Sequence, residues 1–275
     1  MDASPVSRGD LASALPAWAR KAGLVTDGAQ ERRLASMRLD VLAAGALPAG
    51  APADVVLTAR WAAFICWVDD HIDREGLGSA PGELERFTAP LAHVLAPGAR
   101  RAEAPHAAVL EALWEHTRVG MPPRWRRRFA ADYGDFLSAS HEEAAVRRAG
   151  VRLSPAEYVR LRRRTITLLP MLDVLEATGH TPLVEHPRID AGVETLRRSV
   201  ADIAGWSNDL ASQADDTAAG QDNLVTVLMR ESRCTRAVAR ARATAMIGER
   251  RALFASTASA LRDAVPGLPA DTARG

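Results

Sequence analysis

The chain has 275 residues, a formal net charge of +1 and a hydrophobic content of 47%. Near-neutral charge spread along the chain gives no basic surface for nucleic acid or for an anionic membrane. The apolar runs are too short to span a bilayer, and the start lacks a basic segment followed by an apolar signal stretch. We therefore expect a cytoplasmic protein. Its two cysteines, Cys66 and Cys234, are too few for a disulfide framework, and neither is assigned a catalytic role.

Helix-forming residues dominate the composition, and no long alternation of polar and apolar residues argues for a sheet. The sequence predicts an all-α protein of one domain, because its length still suits a single core. Residues 1–15 and 264–275 are expected to be poorly ordered. In chain order, the predicted helices cover residues 29–46, 53–74, 83–95, 104–119, 123–147, 155–178, 190–216, 221–231 and 234–263.

The second predicted helix ends in an acidic patch, residues 69–73, with the sequence Asp-Asp-His-Ile-Asp. Asp69 and Asp73 are four residues apart, so they lie on one face of the helix. In an arbitrary protein such a patch is most often a solvated helix end. Here it follows the apolar run of residues 61–68, which places the carboxylates at the mouth of a core, where a cation would offset their burial.

A second oxygen-rich patch occurs in the helix predicted for residues 190–216. Asn208, Ser212 and Asp216 recur at intervals of four and share one face. A capping or turn sequence would not require that spacing. Magnesium takes few protein oxygens and completes its shell with water and phosphate oxygens. The two patches therefore predict two halves of one magnesium site that binds a phosphorylated ligand.

These motifs resemble those of the class I terpene synthases of bacterial type. The Asp-rich motif is matched by residues 69–73, and the second motif, Asn-Asp-X-X-Ser-X-X-X-Asp/Glu, by residues 208–216. The likeness extends from about residue 18 to about residue 230 and includes residues 157–165, 170–173 and 223–228. It implies a helical bundle with the active site in its core, three Mg²⁺ ions and an isoprenyl diphosphate substrate, most often farnesyl diphosphate. It also leaves a homodimer open.

The resemblance assigns two further roles. In the run of arginines at 162–164, it implies that Arg163 contacts the diphosphate, although such a run is commonly a solvated helix face. The carbonyl four residues later, at Thr167, is then implied to help trigger ionisation. In family members this carbonyl is usually beside a glycine at a helix break, and here Pro170 would disrupt hydrogen bonding nearby.

Helical projection from each metal motif selects apolar side chains for a hydrocarbon pocket. Asp69 shares its face with Ala62, Ile65 and Cys66, and Asn208 shares its face with Ala204 and Gly205. None of these is aromatic. The sequence therefore predicts an aliphatic pocket with few rings to stabilise cations.

Two departures from the family pattern affect the expected chemistry. Asp215 stands where family members usually have Lys or Arg, and the chain has no Arg-Tyr dipeptide of the kind that closes the family's site. These features predict slow turnover and mainly linear or singly cyclised products. The alternatives are a non-catalytic homologue that binds isoprenyl diphosphates and an isoprenyl diphosphate synthase. The latter is disfavoured because it would need a second Asp-rich motif at residues 208–216.

Overall fold

The computed structural model describes residues 11–74, 77–96, 98–181, 183 and 186–264, apart from the side chains of residues 73 and 74. All regular structure in these residues is helical, as predicted. The helices are α1 Leu11–Lys21, α2 Gly28–Ser36, α3 Leu39–Ala46, α4 Pro52–Arg74, α5 Pro81–Val94, α6 Pro105–Thr117, α7 Pro123–Arg148, α8 Pro155–Thr165, α9 Leu168–Thr178, α10 Asp190–Ala218, α11 Leu224–Ser232 and α12 Arg236–Ala264.

Three of the sequence predictions need correction. Helix α1 is additional, so the expectation of poor order is wrong for residues 11–15; Leu11 and Leu15 are buried one turn apart. The helix predicted for 29–46 is two helices, α2 and α3. The helix predicted for 155–178 breaks between α8 and α9. The expectations for residues 1–10 and 265–275 lie outside the described residues.

The chain forms two compact units. Unit 1 contains residues 1–134 and 170–182, and unit 2 contains residues 135–169 and 183–275. Each unit carries one of the two predicted metal motifs.

Unit 1 is built around α4, which packs against α1, α3 and α6. Trp61 of α4 is fully buried. Its ring packs edge-on against the ring of Phe129, with 5.2 Å between the ring centroids, and its indole N–H donates to Thr117 Oγ1 at 2.7 Å. Arg128 of α7 binds two buried carboxylates of α9, those of Asp173 and Glu176. The Trp61 contacts therefore hold α4, the helix that carries the Asp-rich motif, against α6 and α7, and the Arg128 ion pairs hold α7 against α9.

Unit 2 is built around two antiparallel helices of 29 residues each, α10 and α12. Their direction follows from two contacts: Arg240 donates to Leu210 O at 2.8 Å near one end, and Leu261 lies against Gly192 near the other. Helix α11 packs on both α10 and α12, and α8 packs on α10 and α11. A capping box between Ser154 and Glu157 defines the start of α8.

Candidate active site

The Asp-rich motif lies in the last turns of α4. Asp69 is half-buried. Asp70 accepts two hydrogen bonds of 2.6 Å from the Arg33 guanidinium of α2, in a bidentate ion pair. Asp73 belongs to the same helix, and its side chain lies outside the described part of the chain. The motif therefore presents Asp69 as a candidate ligand, while Asp70 ties α4 to α2.

The side chains predicted to line a pocket near Asp69 are mostly buried. Ala62 and Ile65 are buried, and Cys66 is half-buried. Burial, with smaller contributions from the Asp69 and Asp70 carboxylates, raises the pKa of the Cys66 thiol to about 12. A neutral thiol on this face agrees with an apolar surface below the acidic motif.

Unit 1 also contains a cavity of about 200 Å³ on a different face of α4. Helix α4 lines it through Ala63, Trp67, Asp70 and His71, whereas none of the residues predicted for the hydrocarbon pocket borders it. The remaining lining residues come from α1, α2 and the segments that follow these two helices: Ala19, Leu24, Val25, Gln30, Arg33, Leu34 and Met37.

The second motif forms a line of oxygens along α10. Ser212 Oγ donates to Asp216 Oδ2 at 2.6 Å and also contacts Asn208 O at 2.9 Å. Asn223, the N-cap of α11, donates through its amide to the same Asp216 oxygen at 2.7 Å. The structure thus brings Ser212 and Asp216 together, with Asn208 one turn earlier on the exposed end of the same face.

Asp209, which follows Asn208, has a structural role. Its buried carboxylate accepts from the Tyr158 hydroxyl at 2.8 Å, from Arg162 Nε at 2.9 Å and from the backbone N–H of Leu224 at 3.2 Å. Burial and the neighbouring Asp209 charge raise the pKa of Tyr158 well above its usual value. The Tyr158 hydroxyl therefore stays protonated and continues to donate, which anchors α8 and α11 to the motif.

The three arginines of α8 each bind a different acidic partner. Arg162 Nη2 donates to Asn208 Oδ1 at 2.7 Å, in addition to its bond with Asp209. Arg163 makes a bidentate pair with buried Asp202, at 2.8 and 2.9 Å. Arg164 pairs with two acids of α7, Asp135 and Glu142. The run is therefore not a solvated face, and Arg162 is the arginine that reaches the metal motif.

The break between α8 and α9 occurs at Thr167. This residue has φ +62°, in the left-handed region that favours glycine, and its hydroxyl contacts the preceding carbonyl, Ile166 O, at 2.6 Å. The helix predicted for residues 155–178 is therefore interrupted here, where the family resemblance implies a helix break, and Thr167 adopts a left-handed backbone conformation that favours glycine.

The two apolar residues predicted near Asn208 differ in their surroundings. Ala204 is half-buried. Gly205 is buried beneath α8: a methyl group built on it would lie 3.5 Å from Arg162 Cγ and 3.7 Å from Ile166 Cγ1. Substrate contact at Gly205 stays a prediction, and in this structure helix α8 covers that position.

The donor set suits magnesium. Asn208, Ser212 and Asp216 offer an amide oxygen, a hydroxyl and a carboxylate, which are hard oxygen donors. Within the described residues, no three His, Cys, Asp or Glu side chains form a group that could hold a metal ion. Sparse protein donors favour an ion that completes its shell with water and ligand oxygens, and they disfavour a fully caged or zinc-type site.

Sequence reasoning missed several residues that support this motif, although their spacing carried a signal. Asp202 and Asp209 are seven residues apart and share a face of α10, and Tyr158 and Arg162 are four apart on α8. Acids that share a face on one helix, and hydrogen-bond donors that share a face on another, indicate two helices that pair through these groups. Arg250 of α12 also pairs with Asp202, at 3.0 Å, and this contact between residues far apart in the chain had no comparable signal.

Comparison with known proteins identifies the class. The family model described as terpene synthase family 2, C-terminal metal binding, matches residues 60–252, which include both predicted metal motifs. The chain belongs to this family and is a terpene synthase by class. Membership in a family defined by metal binding implies that the chain binds a divalent metal.

Individual relatives are similar over most of their length. The (−)-δ-cadinene synthase of Streptomyces clavuligerus is 31% identical over 254 residues, covering 90% of this chain and 76% of the relative. The (−)-β-caryophyllene synthase of Saccharothrix espanaensis, described as cyclising (2E,6E)-farnesyl diphosphate, is 29% identical over 92% of this chain and 71% of its own. Among solved structures, the linalool/nerolidol synthase from Streptomyces clavuligerus in complex with 2-fluorogeranyl diphosphate aligns with a TM-score of 0.84 and 25% identity, covering 96% of this chain and 91% of that one.

Within the described residues, no helix combines the length and apolar character needed to cross a membrane.

Proposed function

We propose that the protein ionises an isoprenyl diphosphate in a Mg²⁺-dependent reaction and converts the carbocation to a terpene hydrocarbon or alcohol. The observation that carries this proposal is the line of oxygens from Asn208 to Asp216 on α10, inside a segment that matches the metal-binding family. Farnesyl diphosphate is the proposed substrate because a relative covering most of the chain is described as cyclising it.

The proposed metal ligands are Asp69 and Asp73 of the first motif and Asn208, Ser212 and Asp216 of the second. Three Mg²⁺ ions, when bound with the substrate, would neutralise the charge that develops on the leaving diphosphate. Asn223 holds the Asp216 carboxylate through its amide, so this ligand has a fixed orientation. Asp209 keeps α8, α10 and α11 in register around the motif.

Two arginines are proposed to act on the diphosphate. Arg163 is the residue implied by the family pattern, and its bidentate pair with Asp202 holds its guanidinium in one orientation. Arg162 already binds Asn208 Oδ1, so it is next to the proposed metal ligands. The Thr167 carbonyl is proposed to assist ionisation from the break after α8, where the chain leaves the helical hydrogen-bond pattern.

The apolar residues are proposed to protect the carbocation. Ala62, Ile65, Cys66 and Ala204 carry no charged group, and the neutral thiol of Cys66 is a weak nucleophile. Such a lining would exclude water until the cation has lost a proton or been captured. Mainly linear or singly cyclised products remain the prediction for this chain.

The function is tested by incubating the purified protein with C10, C15 and C20 isoprenyl diphosphates and Mg²⁺, followed by GC-MS of the extract. We expect products from the C15 substrate that disappear in excess EDTA. Asp69→Asn and Asn208→Ala should each abolish turnover with little change in helicity. Thr217→Ala, an exposed neighbour of Asp216 on α10, is the matched control and should remain active. Full activity of Asn208→Ala, or in EDTA, would refute the site assignment.

The arginine roles are separated by Arg162→Met and Arg163→Met, with exposed Arg160→Met of the same helix as control. Loss of a charged contact to the diphosphate should cost about 2 to 4 kcal/mol of transition-state stabilisation, measured from kcat/KM. A large effect at Arg162 alone would show that the assignment of Arg163 is wrong. Equal small effects at all three positions would rule out a diphosphate role for the run.

A further inference from the structure

The buried carboxylate of Asp202 binds two arginines at once. It accepts 2.8 and 2.9 Å hydrogen bonds from Arg163 of α8 and lies 3.0 Å from Arg250 Nη2 of α12, and its side chain has no exposed surface. We call Arg163, Asp202 and Arg250 the Asp202 triad. Guanidinium groups remain protonated in proteins, so the triad carries a net charge of +1. A single arginine would have sufficed to neutralise Asp202.

Arg250 is held in a niche on one turn of α10. Its guanidinium lies 5.4 Å from the ring centroid of Trp206. Because Trp206 follows Asp202 by four residues, the two share one face of α10, and Arg250 contacts both the Asp202 carboxylate and the indole face. Along the described part of α12, Ile247 is the last buried residue, and Arg250 follows it by three positions on the same stripe. An aliphatic side chain could dock α12 here without the cost of desolvating a charge. The presence of an arginine therefore calls for a role beyond packing.

The position of the triad suggests that role. Asp202 precedes Asn208 by six residues, which is about 9 Å along the α10 axis. That separation is about one Debye length at physiological ionic strength, and a partly buried charge is screened less than an exposed one. Arg162, next to Arg163 on α8, already contacts Asn208. Surplus positive charge thus lies close to the proposed diphosphate site.

We propose that Arg250 is a positioning residue that shares the negative charge of Asp202 and so leaves Arg163 with net positive charge for the diphosphate. This inference rests on the proposed function. Without Arg250, Arg163 and Asp202 would form a neutral pair. With it, Asp202 still fixes the orientation of Arg163, and the triad attracts an anion. In this chain, where Asp215 stands in place of a cation, Arg250 supplies positive charge from another helix.

The test uses Arg250→Met, which keeps an unbranched apolar stem over Trp206, and Arg250→Lys, which keeps the charge. Arg251→Met, at an exposed neighbouring position, is the control. Binding of inorganic diphosphate with Mg²⁺ is measured by calorimetry at low and high salt, beside kcat, KM and thermal stability. We expect Arg250→Met to weaken diphosphate binding and raise KM by about fivefold at low salt, less at high salt, with kcat within about twofold. Arg250→Lys should recover most of the affinity.

A purely structural role for Arg250 predicts a different result: Arg250→Met would lower thermal stability while diphosphate affinity and its salt dependence stay at wild-type values. That result would overturn the proposal, as would equal losses in Arg251→Met. If Arg250→Met does not fold, Arg250→Gln, which can still donate a hydrogen bond to Asp202, replaces it in the same measurements of diphosphate affinity, salt dependence and thermal stability. Failure of the proposed function is distinguishable, because wild-type protein and Asn208→Ala would then both fail to bind diphosphate with Mg²⁺, and the role of Arg250 would fall with it.

Discussion

The left-handed backbone of Thr167 should reverse the usual stability order of glycine and alanine. A residue with a Cβ atom at φ +62° costs roughly 1–2 kcal/mol, whereas glycine avoids this cost and loses about 0.5–1 kcal/mol through the greater freedom of the unfolded chain. Thr167→Gly should therefore be more stable than Thr167→Ala by about 0.5–1 kcal/mol. Both variants lack the hydroxyl that contacts Ile166 O, so that contact cancels in the comparison.

Exposed Arg160 in the interior of α8 provides the reference. Arg160→Ala should be more stable than Arg160→Gly by about 1 kcal/mol, which is the ordinary helical preference. Urea unfolding, followed by circular dichroism, measures the stability of both pairs of variants. Differences in the free energy of unfolding are calculated from the urea midpoints with the same denaturant dependence (m value) for each variant. The stability of the glycine variant relative to the alanine variant should therefore differ by about 1.5–2 kcal/mol between position 167 and position 160. If alanine is at least as stable as glycine at 167, the helix break does not impose the left-handed conformation.

Two further predictions concern buried groups in unit 1. Arg128→Met should destabilise the protein by about 3 kcal/mol in urea unfolding, because the carboxylates of Asp173 and Glu176 lose a buried cation, and adding Glu176→Gln should recover part of the loss. An Arg128→Met midpoint equal to wild type would contradict this account. Native Cys66 at pH 8 should be alkylated by iodoacetamide about a thousandfold more slowly than in urea, because its pKa is about 12 and not 9.0. Since its folded pKa is the higher one, the contribution of Cys66 to the free energy of unfolding should be constant below pH 9 and decrease as the pH rises from 9 toward 12. Rapid native labelling of Cys66, detected by mass spectrometry, would contradict the raised pKa of this thiol.

Much of the fold followed from helix propensity and from the proline and glycine clusters between helices. The bounds predicted for α4, α5, α6, α7 and α10 agree with the structure to within about two residues. The break at Thr167 was not placed as a helix boundary, because threonine carries no local signal for left-handed backbone. Helix α1 was missed because Pro16 lies within it, and the burial of Leu11 and Leu15 outweighs that penalty.

The candidate site was predictable where its residues are close in sequence. The four-residue spacing of Asn208, Ser212 and Asp216 is enough to identify one face of α10. The distribution of the arginines among their partners was not predictable. Arg162 and Arg163 are adjacent and chemically identical, and only the packing of α8 on α10 sends one to Asn208 and the other to Asp202. Such roles depend on how the helices pair, which the local sequence does not encode.

The stacked indoles of unit 1 give the molecule an internal optical probe. Trp114 and Trp125 lie 5.8 Å apart with ring planes 12° from parallel, close enough for their electronic transitions to couple. All six tryptophans lie in the described part of the chain, and Trp206 is the one that belongs to unit 2. Near-ultraviolet dichroism should therefore report mainly on unit 1. Subtracting the fluorescence of a Trp206→Phe variant from that of the wild type would isolate the emission of unit 2. The unfolding of the two units can then be followed separately without an added label.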